Sequence, residues 1–304
     1  MFGVEGDLRA RYLRGSRSGC ILNTRAPPEP CIMSKLPAAN RFLDLSDYGR
    51  PAAVWIVDAL CGTRVTSIQL TFAFFVAGVA GIACIVTGHY LTAALLLMLK
   101  NVLDAADGEM ARVRRRPSHT GRYLDSVFDF VVNLGVVAAL YLVADAPPAV
   151  AALAFVSLEF QGSVYNYYYL NQRRLLGGDT TSSVNEFVRP HAFPYESGRV
   201  VAVLHGLYLL CYGVFDRLML AAEGDEAITE PLPNWFMTAV STMGLGFQLL
   251  LISLALVFPL ADLVLPFLCL YAGFGMAVIA VRKVLLLGET HVVAVGVECS
   301  NSAE

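Results

Sequence analysis

Charge is what this 304-residue chain has least of: Asp, Glu, Lys and Arg together make up only 15% of it, against about 25% in ordinary soluble domains. The formal net charge of −3 says little, because the charges sit in loops and tails. No basic domain of the kind nucleic acid requires is present, so a nucleic-acid partner is excluded. The seven cysteines are scattered at 20, 31, 61, 84, 211, 269 and 299, without a Cys-x-x-Cys pair. Neither a disulfide framework nor a structural zinc site is expected from them. The five histidines, His89, His119, His191, His205 and His291, have no metal-like spacing. Arg9, Arg11, Arg14, Arg17 and Arg25 are followed by no apolar core of signal-peptide length, so residues 1–40 read as a disordered basic tail.

What the chain has in excess is apolar residues, 56% of the total, with a mean hydropathy of +0.59. They come in long blocks near 68–87, 90–103, 124–143, 149–170, 199–220, 235–258 and 260–281, as membrane spans do. The expected fold is an all-α integral membrane protein, a bundle of about six and at most seven transmembrane helices. An interfacial amphipathic helix and linker over 41–66 precede a membrane domain over 67–285 and a tail over 286–304. Pro51 suits the first turn of the interfacial helix and Trp55 the headgroup level. Gly78, Gly81, Gly244, Gly246, Gly273 and Gly275 are expected to let helices approach closely.

The basic N-terminal tail and the turn over Arg112–Arg122 are two spans apart, and both are expected on the cytoplasmic side. The basic stretch Asn171–Arg199 follows two spans later and reads the same way. Seven spans would put Arg282 and Lys283 outside and six would put them inside. The block 199–220, interrupted by His205 and by Asp216-Arg217, is the weakest span. It is expected to lie partly in the interface, which favours six.

Against this apolar background, four carboxylates cluster where the second block ends and the third begins: Asp104, Asp107, Asp125 and Asp129. Ionised carboxylates at a bilayer edge are costly unless something positive neutralises them. Asp104, Asp107 and Ala111 are three and four residues apart, so a helix that continues past 103 carries them on one face. Asp125 and Asp129, four apart, share a face of the next helix. If the two helices are neighbours the carboxylates converge. Oxygen-only ligands suit Mg²⁺ or Mn²⁺, two of which can bracket a diphosphate. A carboxylate left partly free of metal can act as a general base. Gly108 and Gly121 leave the backbone open to a phosphate or base, and Arg112 offers a fork of donors.

These residues fill every fixed position of D-x2-D-G-x2-A-R-x8-G-x3-D-x3-D. At about one in twenty per position, a chance match is on the order of 10⁻¹⁰ per start site. The stretch resembles the motif of the CDP-alcohol phosphotransferase (CDP-alcohol phosphatidyltransferase) family, which lies between the second and third spans there too. The resemblance covers about 41–200. It implies a two-metal centre of Mg²⁺ or Mn²⁺ with Asp104, Asp107 and Asp125 as principal ligands. Asp129 would be the base that also touches metal, and Gly108, Ala111, Arg112 and Gly121 would frame the cytidine diphosphate. It further implies a CDP-alcohol donor, an alcohol acceptor, membrane lipids as partners, a site facing the cytoplasm and a tendency to form homodimers. Thr66–Thr71 is similar to the family's Thr-Pro-Asn-x-x-Thr stretch, with Ser67 and Ile68 in place of Pro and Asn.

Aminoalcohol phosphotransferases of this family, which use CDP-choline or CDP-ethanolamine on diacylglycerol, carry Phe-Asp-His-Gly before the last Asp. Here the stretch is Leu124-Asp125-Ser126-Val127. It is closer to enzymes that move a phosphatidyl group from CDP-diacylglycerol to glycerol phosphate, inositol phosphate or serine. A non-catalytic scaffold or transporter with the same fold would be expected to have lost a ligand position. Elsewhere, Lys100 reads as a snorkelling span-end lysine. Tyr165, Tyr167, Tyr168 and Tyr169 read as an interfacial belt, and Arg173 and Arg174 as a topology-setting loop. Glu159, Gln161 and Asn166 are equally suited to an acceptor pocket or to interhelical hydrogen bonds.

Overall fold

The computed structural model describes residues 42–177, 186–223 and 228–301, with side chains as far as 284. The expected tail over 1–40 lies outside these residues, as does Gly178-Asp179-Thr180. All described residues fall in one unit, Met33–Glu304, and are helical or loop, with no strand among them. A single 3₁₀ turn, Leu45–Asp47, leads into α1, Arg50–Leu60, with Pro51 in its first turn. Trp55 projects outward, 75% exposed.

Helix α2, Ser67–Val86, opens on a reciprocal cap in which Gln69 N–H donates to Thr66 Oγ1 and Thr66 N–H donates to Gln69 Oε1. That satisfies two of its orphan donors. Helix α3, Tyr90–Val113, runs on past the apolar block through the acidic residues. It stops where Arg115 takes a left-handed conformation, φ +50°, and Pro117 prevents resumption. Helix α4, His119–Val143, starts five residues earlier than its apolar block, capped by Ser118 Oγ on the Gly121 N–H. The remaining helices are α5, Pro148–Leu175; α6, Gly198–Glu223; α7, Asn234–Ser241; α8, Leu245–Val257; and α9, Ala261–Asn301.

Counted by apolar length alone, four described helices can cross a membrane, namely α2, α4, α6 and the described part of α9. The pair α7 and α8, bent by 48°, makes a fifth if it is one span. That is fewer than the six expected, because α3 and α5 carry polar residues over half their length. Those residues face the bundle interior instead of lipid: Lys100, Asp107, Glu159 and Gln161 are all buried.

Packing gives a different count from apolar length. The core at the end of the bundle away from the acidic motif is built from Ile85, Leu97, Leu140, Leu158, Leu256 and Leu265, and it takes residues from α2, α3, α4, α5, α8 and α9. No residue of α6 belongs to it. Instead α6 lies across the motif half of the bundle. Its Tyr208 meets Tyr123 near the start of α4, its Tyr212 hydroxyl donates to Ser126 O, and its last residue, Glu223, accepts from Tyr168 near the end of α5. By length and composition α6 passes as a candidate span, against the expectation that 199–220 is the weakest, while its contacts put both of its ends on the motif half. The same contacts put Arg282, paired with Glu223 at 2.7 Å, on the motif side. His205 and Asp216, which interrupt the block, are held by the Glu186 carbonyl and the Tyr208 hydroxyl.

Two polar bridges join helices in the interior: Asn133 to Glu159 at 2.9 Å and Gln248 to Gln161 at 2.8 Å. Glu159 and Gln161 are thus interhelical bonding groups, whereas Asn166 lines a small cavity with Ser163, Tyr208 and Asp216. The tyrosines at 167–169 do not form an exposed belt. They are buried in a core with Phe236, Met237 and Ile279, because α6 and α7 cover Tyr168 while Phe42 packs on Tyr169 on another side of α5. Arg173 is likewise buried on α5 and is not part of a solvated loop.

Close approach is confined to particular glycines. A Cβ on Gly78 would lie 2.8 Å from Val132, whereas Gly273 has nothing within 4 Å and is no packing contact. The tightest place is Gly246, where a Cβ would fall 1.9 Å from the backbone oxygen of Ser46 and 2.9 Å from Asn101 Oδ1. Backbone cannot step aside as a side chain can. Gly246→Ala is therefore expected to destabilise the fold by about 2–3 kcal/mol or more, read as a lowered unfolding midpoint in detergent. Gly273→Ala, in open space, is the control that should leave it unchanged.

Candidate metal centre

The acidic cluster forms because α3 and α4 run antiparallel from the short turn 114–118, each packed on α2 and not closely on each other as the sequence suggested. Helical spacing then decides depth. Asp107 and Asp125 face each other near the turn, and Asp104 and Asp129 lie about one turn deeper. One oxygen from each of Asp104, Asp107 and Asp125 lies within 4.8 Å of the other two. Asp129 is not in that trio; its Oδ1 pairs with the ammonium of Lys100.

The trio fits a hard divalent cation. All three groups are carboxylates from two rigid helices, the donor set Mg²⁺ and Mn²⁺ take. Asp125 Oδ1 is buried with no hydrogen-bond partner, and such an orphaned anionic oxygen is costly unless a cation is meant to meet it. Asp107 Oδ2 accepts from Thr71 Oγ1 at 2.6 Å, which leaves its other oxygen directed by that bond. Thr71 belongs to the Thr66–Thr71 stretch, so this stretch contributes through Thr71 to the carboxylates.

The residues expected to frame a nucleotide sit one turn closer to the motif end. Gly108, Ala111 and Arg112 are on α3, and the Arg112 guanidinium folds back so that a Cβ on Gly108 would meet it at 3.4 Å. Arg112 Nη2 donates to Glu109 Oε2 at 2.7 Å, and Arg50 of α1 donates to the same oxygen at 3.2 Å. Glu109, only 2% exposed, is therefore the hub that ties α1 to the arginine. Gly121 is in the first turn of α4, with its N–H already bonded to Ser118. The loop residue Glu196 staples this turn by accepting from Ser118 Oγ at 2.8 Å and the Thr120 N–H at 2.7 Å. Partial burial pushes the Glu196 carboxyl up, but these bonds and the Phe193 N–H outweigh it and hold the group below the usual carboxylate range.

Three contributors to the site were not read as such in the sequence: Lys100, Glu109 and Arg50. Lys100 had a visible signal, since it precedes Asp104 by four residues on the same face. Glu109 and Arg50 had none, because their pairing joins positions 59 residues apart.

In an all-helical bundle whose apolar helices suit a membrane, three carboxylates, Asp107 buried and Asp104 and Asp125 half-buried, thus converge from two helices as a donor set of the kind hard cations take. The family model described as CDP-alcohol phosphatidyltransferase matches residues 58–195, a stretch that includes all eight motif residues. Through this segment the chain is similar to the CDP-alcohol phosphatidyltransferase family. The general activity that this match supports is phosphotransfer from a CDP-alcohol in phospholipid head-group synthesis. No curated protein matches the chain in a sequence search.

Proposed function

We propose that the chain transfers a phosphatidyl group from CDP-diacylglycerol to the hydroxyl of a small polar alcohol and releases CMP. The observation that carries this reading is the convergence of Asp104, Asp107 and Asp125 within 4.8 Å beside a fourth carboxylate, Asp129, which stands outside the trio. Leu124-Asp125-Ser126-Val127 favours CDP-diacylglycerol over an aminoalcohol donor.

Asp104, Asp107 and Asp125 would hold two Mg²⁺ or Mn²⁺ ions, with Asp129 touching one of them. When bound, such ions neutralise a diphosphate and stabilise charge developing at phosphorus. Gly108, Ala111 and Gly121 leave space along the helix ends for the cytidine diphosphate, and Arg112, aimed by Glu109, binds a phosphate oxygen. The acceptor hydroxyl is held near Asp129, which takes its proton as the oxygen attacks the phosphorus that bears the diacylglycerol. The new P–O bond forms as the bond to the CMP oxygen breaks, and CMP leaves as the phosphate monoester. The basic turn beside the motif favours placing this end in the cytoplasm, where soluble nucleotide is available.

The test uses purified full-length chain in detergent with Mg²⁺ or Mn²⁺, a panel of CDP-alcohols and polar acceptors, and CMP as the readout. CMP from CDP-diacylglycerol is expected; CMP only from CDP-choline or CDP-ethanolamine with diacylglycerol would overturn the donor. No CMP from any donor would leave a scaffold role. In the same assay Glu109→Gln, which removes the anion shared by Arg50 and Arg112, is expected to raise the donor KM by roughly tenfold and change kcat less. An unchanged KM would take Arg112 out of donor binding.

A further inference from the structure

Lys100 is the one lysine in the interior of the described bundle, with 0% of its surface exposed. Its ammonium lies 2.8 Å from Asp104 Oδ2 on its own helix and pairs across to Asp129 Oδ1 on α4. On a third side it stands 4.7 Å from the centroid of the Phe74 ring on α2, a favourable site for a desolvated cation. A snorkelling lysine would reach for water; this one points into the cluster, at its deep end, between the carboxylates and the apolar core. Its three contacts come from three helices, so its position is fixed by the bundle, not by its own stem.

This arrangement divides the four aspartates. Asp104 and Asp129 each give Lys100 one oxygen, whereas Asp107 and Asp125 make no hydrogen bond or ion pair with it. A carboxylate has enough lone pairs to accept both an ammonium and a metal ion, but the two cations then repel each other at close range in a poorly solvated place. A first divalent ion at the trio would meet two carboxylates not paired to Lys100 and one, Asp104, that gives it a single oxygen. A second ion that engages Asp129 meets a carboxylate already neutralised.

We propose that Lys100 is a resident counter-ion that makes the two metal positions unequal: the Asp104–Asp107–Asp125 position binds tightly, and the position that needs Asp129 binds weakly until other negative charge, such as the donor's diphosphate, arrives. It rests on the divalent-metal reading above and adds a positioning residue outside the family motif. Asp129 is thereby held in place in the absence of donor, and the second ion is taken up with the substrate.

The experiment titrates Mn²⁺ into metal-stripped, full-length protein in detergent and follows free Mn²⁺ by electron paramagnetic resonance. Wild type is expected to bind one ion tightly and a second at least roughly tenfold more weakly. Lys100→Met should bring the two affinities to within a few-fold, and Lys100→Arg, which keeps the charge, should retain the wild-type pattern. Asp129→Asn should lose the weak ion and keep the tight one. Indistinguishable curves for wild type and Lys100→Met would overturn the proposal, as would loss of the tight ion in Asp129→Asn. If Lys100→Met does not fold, Asp129→Asn and Lys100→Arg decide it alone, and two equal ions in Lys100→Arg would overturn it. A wild type that binds no Mn²⁺ would remove the metal reading and this one together. The predicted pattern without any CMP release would refute the transferase and leave Lys100 in its role.

Discussion

Asp125→Asn is expected to reduce CMP release by roughly 10³-fold while leaving the protein folded. Ligand geometry is kept and only the negative charge is lost. Divalent ions stabilise the phosphoryl transition state by several kcal/mol, and about 1.4 kcal/mol is a factor of ten in rate. Asp125 Oδ1 is buried without a partner, and the carboxylates of Asp104 and Asp107 converge with it. Without metal these like charges repel. The asparagine protein should therefore be at least as stable as wild type in chelator, and should lose the upward shift in melting temperature that Mn²⁺ gives wild type. Activity falls and metal-free stability does not; a general misfolding mutation would lower both. Turnover within tenfold of wild type would take Asp125 out of the metal site.

The second large effect is expected at the opposite edge of the motif half, where α5, α6 and α9 meet. Arg282 Nη1 lies 2.7 Å from Glu223 Oε2 with side-chain exposures of 3% and 0%, and Tyr168 donates to the other Glu223 oxygen at 2.7 Å. Arg282→Met strands a buried carboxylate, and the expected loss is about 3–5 kcal/mol. Tyr168→Phe removes one hydrogen bond to a charged group and should cost less, about 1.5–3 kcal/mol. The double change Arg282→Met with Glu223→Gln should recover much of the first loss, since neither charge is then left alone. Denaturant unfolding in mixed micelles measures all three. A destabilisation below about 1 kcal/mol in Arg282→Met would mean that the pair is solvated, and that α6 does not end where these contacts put it.

The readings that held are those set by local geometry. Apolar blocks marked where the helices begin to within about five residues, since lipid-facing and core-facing positions are both apolar, although α3 and α9 run on well past their blocks and 235–258 breaks into α7 and α8. The three- and four-residue spacings put Asp104 and Asp107 on one face and Asp125 and Asp129 on another, whatever the neighbours. The readings that needed revision turn on which faces meet. Lys100 at an apolar block's end looks the same whether it points to headgroups or to an acidic pocket, and the tyrosines at 167–169 look like a belt until α6, α7 and Phe42 cover them. By apolar length α6 could span; only Tyr123, Tyr168 and Arg282, all distant in sequence, reveal that it lies across one half of the bundle.

The chain alone thus determined the helical, membrane-embedded class and the four-aspartate motif, because hydrophobicity and the 3.6-residue period act within a single segment. Tertiary structure decided the division of those aspartates into a trio and a fourth, with Lys100 bridging Asp104 and Asp129, the hub at Glu109 and the course of α6. Each depends on charges and surfaces brought together from different helices, and no period within one helix encodes its neighbour.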